Sequence, residues 1–230
     1  MADHEQRPAI PAATVIVLRD AADGLETLLA RRNADLSFVG GYWVFPGGRV
    51  DEADRVAGGS QDELAVARRA AVREAAEEVG LVVAEPSLVA LSHWLPPEQA
   101  PKRFATWFFL APLEGASADV VIDDGEITDS LWCSPQEALR RQAAGEIDMA
   151  PPTWVSLWWL TRCGDVGDAL ARAAAVEPER FASRYVDTED GIVLLQPGDA
   201  GYDDLDLHRA GPRHRFLMHR SGWRYERDLD

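Results

Sequence analysis

Three carboxylates crowd one short stretch of this chain. Residues 73–80 read "REAAEEVG", so Glu74, Glu77 and Glu78 fall within five positions and Gly80 follows. Side chains three and four apart on a helix are neighbours, and like charges there repel. Two chemistries fit such a cluster. One is a solvated acidic face with arginines nearby. The other is a ligand set for hard divalent cations, since Mg²⁺ takes carboxylate and water oxygens. A helical wheel bears on the choice. At about 100° per residue, Leu64, Ala71, Val72, Ala75 and Val79 form one apolar stripe. Glu74 and Glu77 lie beside that stripe and Glu78 at its border. Partial burial makes three neighbouring anions costly, because desolvation and like charge both disfavour ionisation. Cations would remove the conflict. Arg73 points to another side, where it can orient a loop or pair with an acid. Arg68 falls inside the apolar stripe and is expected to snorkel or to splay the first turns.

The acids need a helix and a partner loop. "SQDE" at 60–63 has capping-box spacing, with Ser60 as N-cap and Glu63 reaching back. The helix is expected to run to Val79, with Gly80 as the left-handed cap. Upstream, "GGYWVFPGG" (40–48) reads as a short aromatic strand between glycine pairs, and 49–60 as an acidic loop. "ATVIVLR" and "LETLLAR" are strands around the turn "DAADG". Downstream, "SLVALSHWL" and "RFATWFFLAPL" are strands separated by "PPEQAPK". "DVVIDDGEITDSLWCS" reads as two short strands around "DDG". Helices are expected in "SPQEALRRQAAG", ending at Gly145, in "PPTWVSLWWLTRCG", ending at Gly164, and near 165–176. Asp190-Gly191 and Ser221-Gly222 mark hairpins. Strands and helices mix without regular βαβ alternation. The expected class is therefore α/β in the broad sense (α+β), a mixed sheet flanked by helices.

Composition narrows the partners. Of 230 residues, 47% are apolar, enough for a core, and the formal net charge is −16. Such a chain repels nucleic-acid backbones and anionic membranes, so neither is an expected partner. No apolar run approaches the ~20 residues that span a bilayer. "MADHEQRP" lacks the basic start and apolar core of a signal peptide, so a cytoplasmic location is expected. Cys133 and Cys163 share no CxxC spacing and read as reduced thiols.

With "FPGG" upstream and "REAAEEVGL" closing the helix, the sequence resembles the Nudix hydrolase family. That family's signature is a glycine, five residues, a glutamate, seven residues, then Arg-Glu-apolar-x-Glu-Glu-x-Gly-apolar. Gly48 matches the leading glycine and Arg73 to Leu81 the closing half. Asp54 stands where the first-half glutamate belongs, and eighteen residues replace the spacer of seven. The resulting insertion, near 55–65, is a specificity element or a tolerated surface loop. The resemblance implies a Nudix-like α/β/α sandwich over residues 10–165. Residues 166–230 would be a C-terminal α+β extension packed on the same domain. It also implies Glu74, Glu77 and Glu78 as ligands of Mg²⁺ or Mn²⁺, with the Gly47 carbonyl as a further ligand and Arg73 as the orienting salt-bridge partner. The family often adds an acid from a later loop; Glu126 fits that place, with Asp124 and Asp129 as competitors. Glu77, Glu78 and Glu126 are each able to take the proton of an attacking water.

The expected activity is hydrolysis of a diphosphate linkage in a small-molecule nucleotide derivative. "GYWVFPGG" resembles the G-x-x-x-F-P-G-G run of coenzyme A diphosphatases, although Ser37 replaces the arginine that this branch carries. Residues 93–112 resemble a segment of the same branch, so coenzyme A or an acyl derivative is the first substrate to consider. ADP-ribose, dinucleotides or nucleotide sugars are alternatives, and so is a Nudix-fold ligand sensor without catalysis. Lys102 and Arg103 form a rare basic pair that suits a substrate phosphate or a solvated strand edge. Trp43 is a pocket candidate or a core filler. Trp154, Trp158 and Trp159 share helical spacing that suits packing or a dimer contact. An isologous homodimer through that helix or the C-terminal strands is an open expectation.

Overall fold

The computed structural model describes residues 8–37, 39–56, 62–113, 120–122 and 125–228. They fall into two compact units: one from within 11–92 and 106–179, the other from within 1–10, 93–105 and 180–230.

The first unit opens with β1 (Ile10–Ala21) and β2 (Gly24–Arg32), joined at a tight turn where Ala21 pairs with Gly24. They pair only beside that turn, from Leu18 to Ala21 of β1, and then part. The next segment fills the fork. β3 (Trp43–Val44) pairs with β2 through Ala30 and Arg31, and β4 (Gly47–Arg49) pairs with β1 through Ala12, Ala13 and Thr14. Short α1 (Glu52–Val56) and long α2 (Glu63–Val79) follow. β5 (Val89–Leu95) and β6 (Phe104–Pro112) extend the sheet in the order β3-β2-β1-β6-β5. The bonds Ile10 N–H to Arg103 O and Leu113 N–H to Leu18 O advance together along β1 and β6. That pairing is therefore parallel, and the sheet is mixed. β7 (Ile127–Cys133) lies on the outer edge of β2. Helices α3 (Pro135–Ala143), α4 (Pro151–Leu160) and α5 (Val166–Ala174) complete the unit.

The core explains why α2 lies where it does. Val15, Val17, Leu28 and Ala30 alternate on one face of β1 and β2 and meet Ala67, Ala70, Ala71, Ala75 and Val79 of α2. Small alanines let the helix approach the sheet closely. Ile16, Leu18 and Leu29, which point the other way, are also fully buried, so both faces of the two strands are covered.

The second unit takes in the last three residues of β5, His93–Leu95, and β8 (Glu179–Ala182) from Arg180 on; after it, Ser183 N–H donates to Leu95 O. Then β9 (Arg184–Thr188), β10 (Gly191–Leu195), β11 (His214–His219) and β12 (Gly222–Arg227) form an antiparallel sheet in the order β12-β11-β10-β9. The hairpins at Asp190-Gly191 and Ser221-Gly222 stand as expected, closed by the pairs Thr188–Gly191 and His219–Gly222. Its core holds Val193, Leu195 and Leu217. Asp199 and Arg215 are buried beside it and joined by two bonds of 2.6 and 2.7 Å.

Several local expectations change. Asp62 caps α2, accepting from Ala65 N–H at 3.1 Å; Ser60, the expected cap, lies outside the described residues. The helix does end at Val79 with Gly80 at φ 69°. The expected acidic loop 49–60 contains the end of β4 and α1, because Asp54 caps backward onto Asp51 N–H at 2.8 Å. The segment before Cys133 holds one strand, β7, among the described residues; Asp124 of its turn lies outside them. α4 stops at Leu160, short of Gly164. Arg68 turns its guanidinium to the Leu88 carbonyl, 5.5 Å above the Phe109 ring, which resolves its place in the apolar stripe.

Candidate active site

The fork in the sheet sets the floor of the site. Gly47 stands against Thr14, where a Cβ would come within 2.4 Å of the Ala13 carbonyl oxygen. Only a glycine permits that approach. A Cβ on Gly48 would lie 2.5 Å from Glu74 Oε1, so the second glycine makes room for a carboxylate of α2. Gly47 N–H donates to Glu78 Oε2 at 2.8 Å. Glu74 and Glu78, one turn apart, thus converge on the two-glycine floor.

Arg73 organises the rim. Its Nε and Nη2 donate to Asp54 Oδ1 and Oδ2 at 3.1 and 2.9 Å, a forked pair. Nη2 also reaches the Arg49 carbonyl at 2.9 Å, and Nη1 donates to Glu74 at 2.9 Å and Glu77 at 2.8 Å. Arg69 Nε adds a 2.5 Å bond to the Asp54 carbonyl. One residue of the first half of the motif is therefore tied to the helix by two arginines.

The charges sort by environment. Burial pushes the Glu78 carboxyl up to about 8; the charges of Glu74 and Glu126 add to this, and the Gly47 N–H and Arg32 only partly offset it. Glu74 is raised for the same first reason, with Glu77 and Glu126 contributing and Arg73 opposing. Burial also pushes Asp54 up, but the hydrogen bonds from Arg73 and Asp51 N–H and the charges of Arg73 and Arg69 outweigh it and hold Asp54 below the usual range. Arg73 is held charged above all by Asp54. The cluster therefore has one satisfied carboxylate, Asp54, and two that resist ionisation as they stand.

A family model described as the NUDIX domain matches residues 9–153. The chain belongs to the Nudix family. Gly48 and Arg73–Leu81, which match the two halves of the Nudix signature, lie on β4 and at the end of α2, where Glu74 and Glu78 meet the glycines. The acyl-coenzyme A diphosphatase NUDT19 of Gallus gallus is 32% identical over 120 residues, which are 49% of this chain and 32% of that protein. The chain thus matches about a third of the length of that relative. A Mycobacterium tuberculosis protein provisionally named 8-oxo-dGTP diphosphatase 3 is 27% identical over 212 residues, covering 86% of this chain and 82% of that one. Among solved structures, a Nudix hydrolase of Alicyclobacillus acidocaldarius superposes with a TM-score of 0.64 at 24% identity, over 71% of this chain and 96% of that one. That likeness supports the α+β fold with its mixed sheet.

Around this Nudix box the other candidates spread out. Glu77 is bound to Arg73 and its side chain is 59% exposed. Among the described residues, no three acids or other metal-binding side chains stand close enough together to hold an ion in this conformation. Glu126, just before β7, faces Arg32 at 3.5 Å, and its charge is felt by both Glu74 and Glu78. Asp129 instead accepts from Ser130 N–H and pairs in register with Arg31. Trp43 lines a cleft of about 290 Å³ together with Arg31, Arg141, Ile147 and Asp148. Lys102 and Arg103 belong to the second unit, where Arg103 Nε donates to the Pro96 carbonyl at 3.2 Å. Trp154 is buried and bonds Gln142, and Trp158 lies under the Arg162 guanidinium at 4.0 Å. Cys133 and Cys163 are free thiols that burial pushes up to about 11, away from the thiolate form. Sequence reasoning missed Arg32 at the end of β2. The signal was present: two arginines close an apolar strand just ahead of the glycine loop.

Proposed function

We propose that this chain hydrolyses a diphosphate linkage in a nucleotide derivative with the help of Mg²⁺ or Mn²⁺. Coenzyme A and its acyl esters are the first substrates to test. The observation that carries this reading is the convergence of Glu74 and Glu78 on the Gly47–Gly48 floor. The buried Glu78 and half-buried Glu74 resist ionisation even with Arg32 and Arg73 beside them, and two such hard oxygen donors fit a hard divalent cation. In this reading Glu74, Glu78 and the Gly47 carbonyl hold the ion, with Glu77 joining when it leaves Arg73. A bound cation supplies neutralisation of phosphate charge and acidification of water.

The chain's own residues do the rest. Arg73, gripped by Asp54, fixes the position of the helix turn against β4. Glu77, Glu78 and Glu126 are the acids within reach of taking a proton from the attacking water. Trp43 is proposed to offer a face to the base. The match to NUDT19, an acyl-coenzyme A diphosphatase, supports the coenzyme A class. A second reading, a nucleoside triphosphate substrate, is favoured by the relative that aligns with 86% of this chain.

The test is direct. The protein is incubated with Mg²⁺ or Mn²⁺ and a panel of coenzyme A esters, nucleoside triphosphates, dinucleotides and nucleotide sugars, and products are identified by mass. Release of 3′,5′-ADP with a 4′-phosphopantetheine product is the expected result. Release of a nucleoside monophosphate and inorganic diphosphate from a triphosphate would establish the second reading. Binding without turnover of any member would make the protein a sensor and overturn both.

A further inference from the structure

Arginines in this protein fall into two kinds. Arg73 makes five hydrogen bonds with its guanidinium. Arg215 makes three, two to Asp199 and one to the Leu207 carbonyl. Arg32 is different. Its side chain is only 17% exposed, yet its sole hydrogen bond among the described residues is the 3.5 Å contact of Nη2 with Glu126. Nη1 stands 3.8 Å from Glu78 Oε1, an ion pair too long for a hydrogen bond. Nε is buried with no partner. A guanidinium has five N–H donors in a planar fork. Here Nε is unmet where an unmet donor is costly, Nη2 has one long bond, and Nη1 has only the loose ion pair with Glu78.

The position gives this deficit a meaning. Arg32 sits between Glu78 and Glu126, and beside the glycine loop, since Arg32 N–H donates to the Tyr42 carbonyl and Gly41 N–H to the Arg32 carbonyl. The two acids attract it by charge while offering it poor geometry. We propose that Arg32 is the residue of this site that binds the diphosphate of the substrate. Its fork donates to non-bridging phosphate oxygens once Glu78 has a divalent cation as countercharge. A planar fork suits a phosphate bidentately, as a lysine in its place would not. The orphaned Nε belongs to the conformation held by the carboxylates and finds its acceptor when the side chain turns to the ligand. This inference rests on the diphosphatase reading, but its test does not depend on turnover.

The experiment uses the full chain and inorganic diphosphate as the probe. Calorimetric titration measures Mn²⁺ affinity first, then diphosphate affinity at saturating Mn²⁺, for wild type, Arg32→Met and Arg32→Lys. The expected result is a diphosphate affinity lowered by roughly ten- to a hundredfold in Arg32→Met, the scale for lost charge-assisted hydrogen bonds. Arg32→Lys should fall between, and Mn²⁺ affinity should hold or improve in both. Mn²⁺ binding that tightens with diphosphate affinity unchanged would make Arg32 a counter-charge only and overturn the proposal. If Arg32→Met fails to fold, undiminished diphosphate binding by Arg32→Lys overturns it equally. If the diphosphatase reading itself is wrong, wild type binds no Mn²⁺ at this site and hydrolyses none of the panel, a result distinct from a selective loss in the variants.

Discussion

Two buried charge clusters in this protein look alike in composition and behave oppositely. In the second unit, Asp199 meets Arg215 through two bonds and also accepts from His214 N–H and Gly201 N–H. Burial pushes Asp199 up, but these partners outweigh it and hold its carboxyl below the ordinary value of 3.8. On α2, Glu74 and Glu78 sit beside Arg73 and Arg32, yet both are raised, Glu78 to about 8. Burial is the first cause in each place. What differs is the supply of donors: Asp199 has four, whereas Glu78 has one short bond, from Gly47 N–H. A closed network serves the fold, and an open one leaves capacity for a ligand.

The sharpest way to test this contrast is to remove one acid from each cluster. Glu78→Gln should lower kcat by roughly 10²–10⁴-fold, the range for a positioned acid–base group, while the melting temperature of the metal-free protein holds or rises. A near-wild-type turnover in the Glu77→Gln, Glu78→Gln double variant would sink the site assignment. Asp199→Asn should do the reverse. It should cost about 3–5 kcal/mol by leaving Arg215 buried and uncompensated, with kcat per folded molecule unchanged, as read by chemical denaturation and by active-site titration.

Arg73→Lys tests the rim. The fork onto Asp54 is lost and one charge remains, so activity should fall by about ten- to a hundredfold, as for other partners that orient ligating groups. A loss below twofold would show that Asp54 does not anchor the helix.

The smallest effect is a difference in pH dependence. Asp199 has a depressed folded-state pKa, so its stabilisation is present above 3.8 and disappears as pH falls through the lower, native value. Glu78 has a raised one. Its neutral form favours the metal-free fold below its ordinary value of 4.5, and that contribution is lost as pH rises through about 8. Metal-free melting curves should therefore decline between pH 5 and 8 in the wild type by roughly a few degrees, and decline less in Glu78→Gln. Saturating Mg²⁺ should also flatten the decline. Identical slopes for wild type and variant would contradict the placement of Glu78.

The elements that formed were mostly written in local pattern. Gly80 ended α2 because a left-handed cap needs a glycine. Ser134 capped α3, accepting from Glu137 N–H as the "SPQE" spacing suggests. The wheel put Glu78 at the border of the apolar stripe, and it is buried. Other features had no local signal. Asp54 departs from the family pattern by one methylene, and its partnership with Arg73 depends on a helix, α1, of five residues, too short to stand without the tertiary contacts that add to its local cap. Arg32 reads in sequence as a strand end; its unmet donors exist only because Glu78 and Glu126 arrive from elsewhere in the chain. Leu64 and Val72, expected in the core, are only partly buried, because the alanine face turned to the sheet instead.

The forked sheet has a kinetic side as well. Residues 43–49 are hydrogen-bonded into β2 at one end and β1 at the other, with Val15 N–H on the Pro46 carbonyl between. The glycine loop cannot lift away without unzipping both central strands at once. Its amides should therefore exchange with solvent only on the slow timescale of the sheet's own opening, although glycine-rich segments are the usual places where backbones breathe. The parts of the site that remain able to move are then side chains alone.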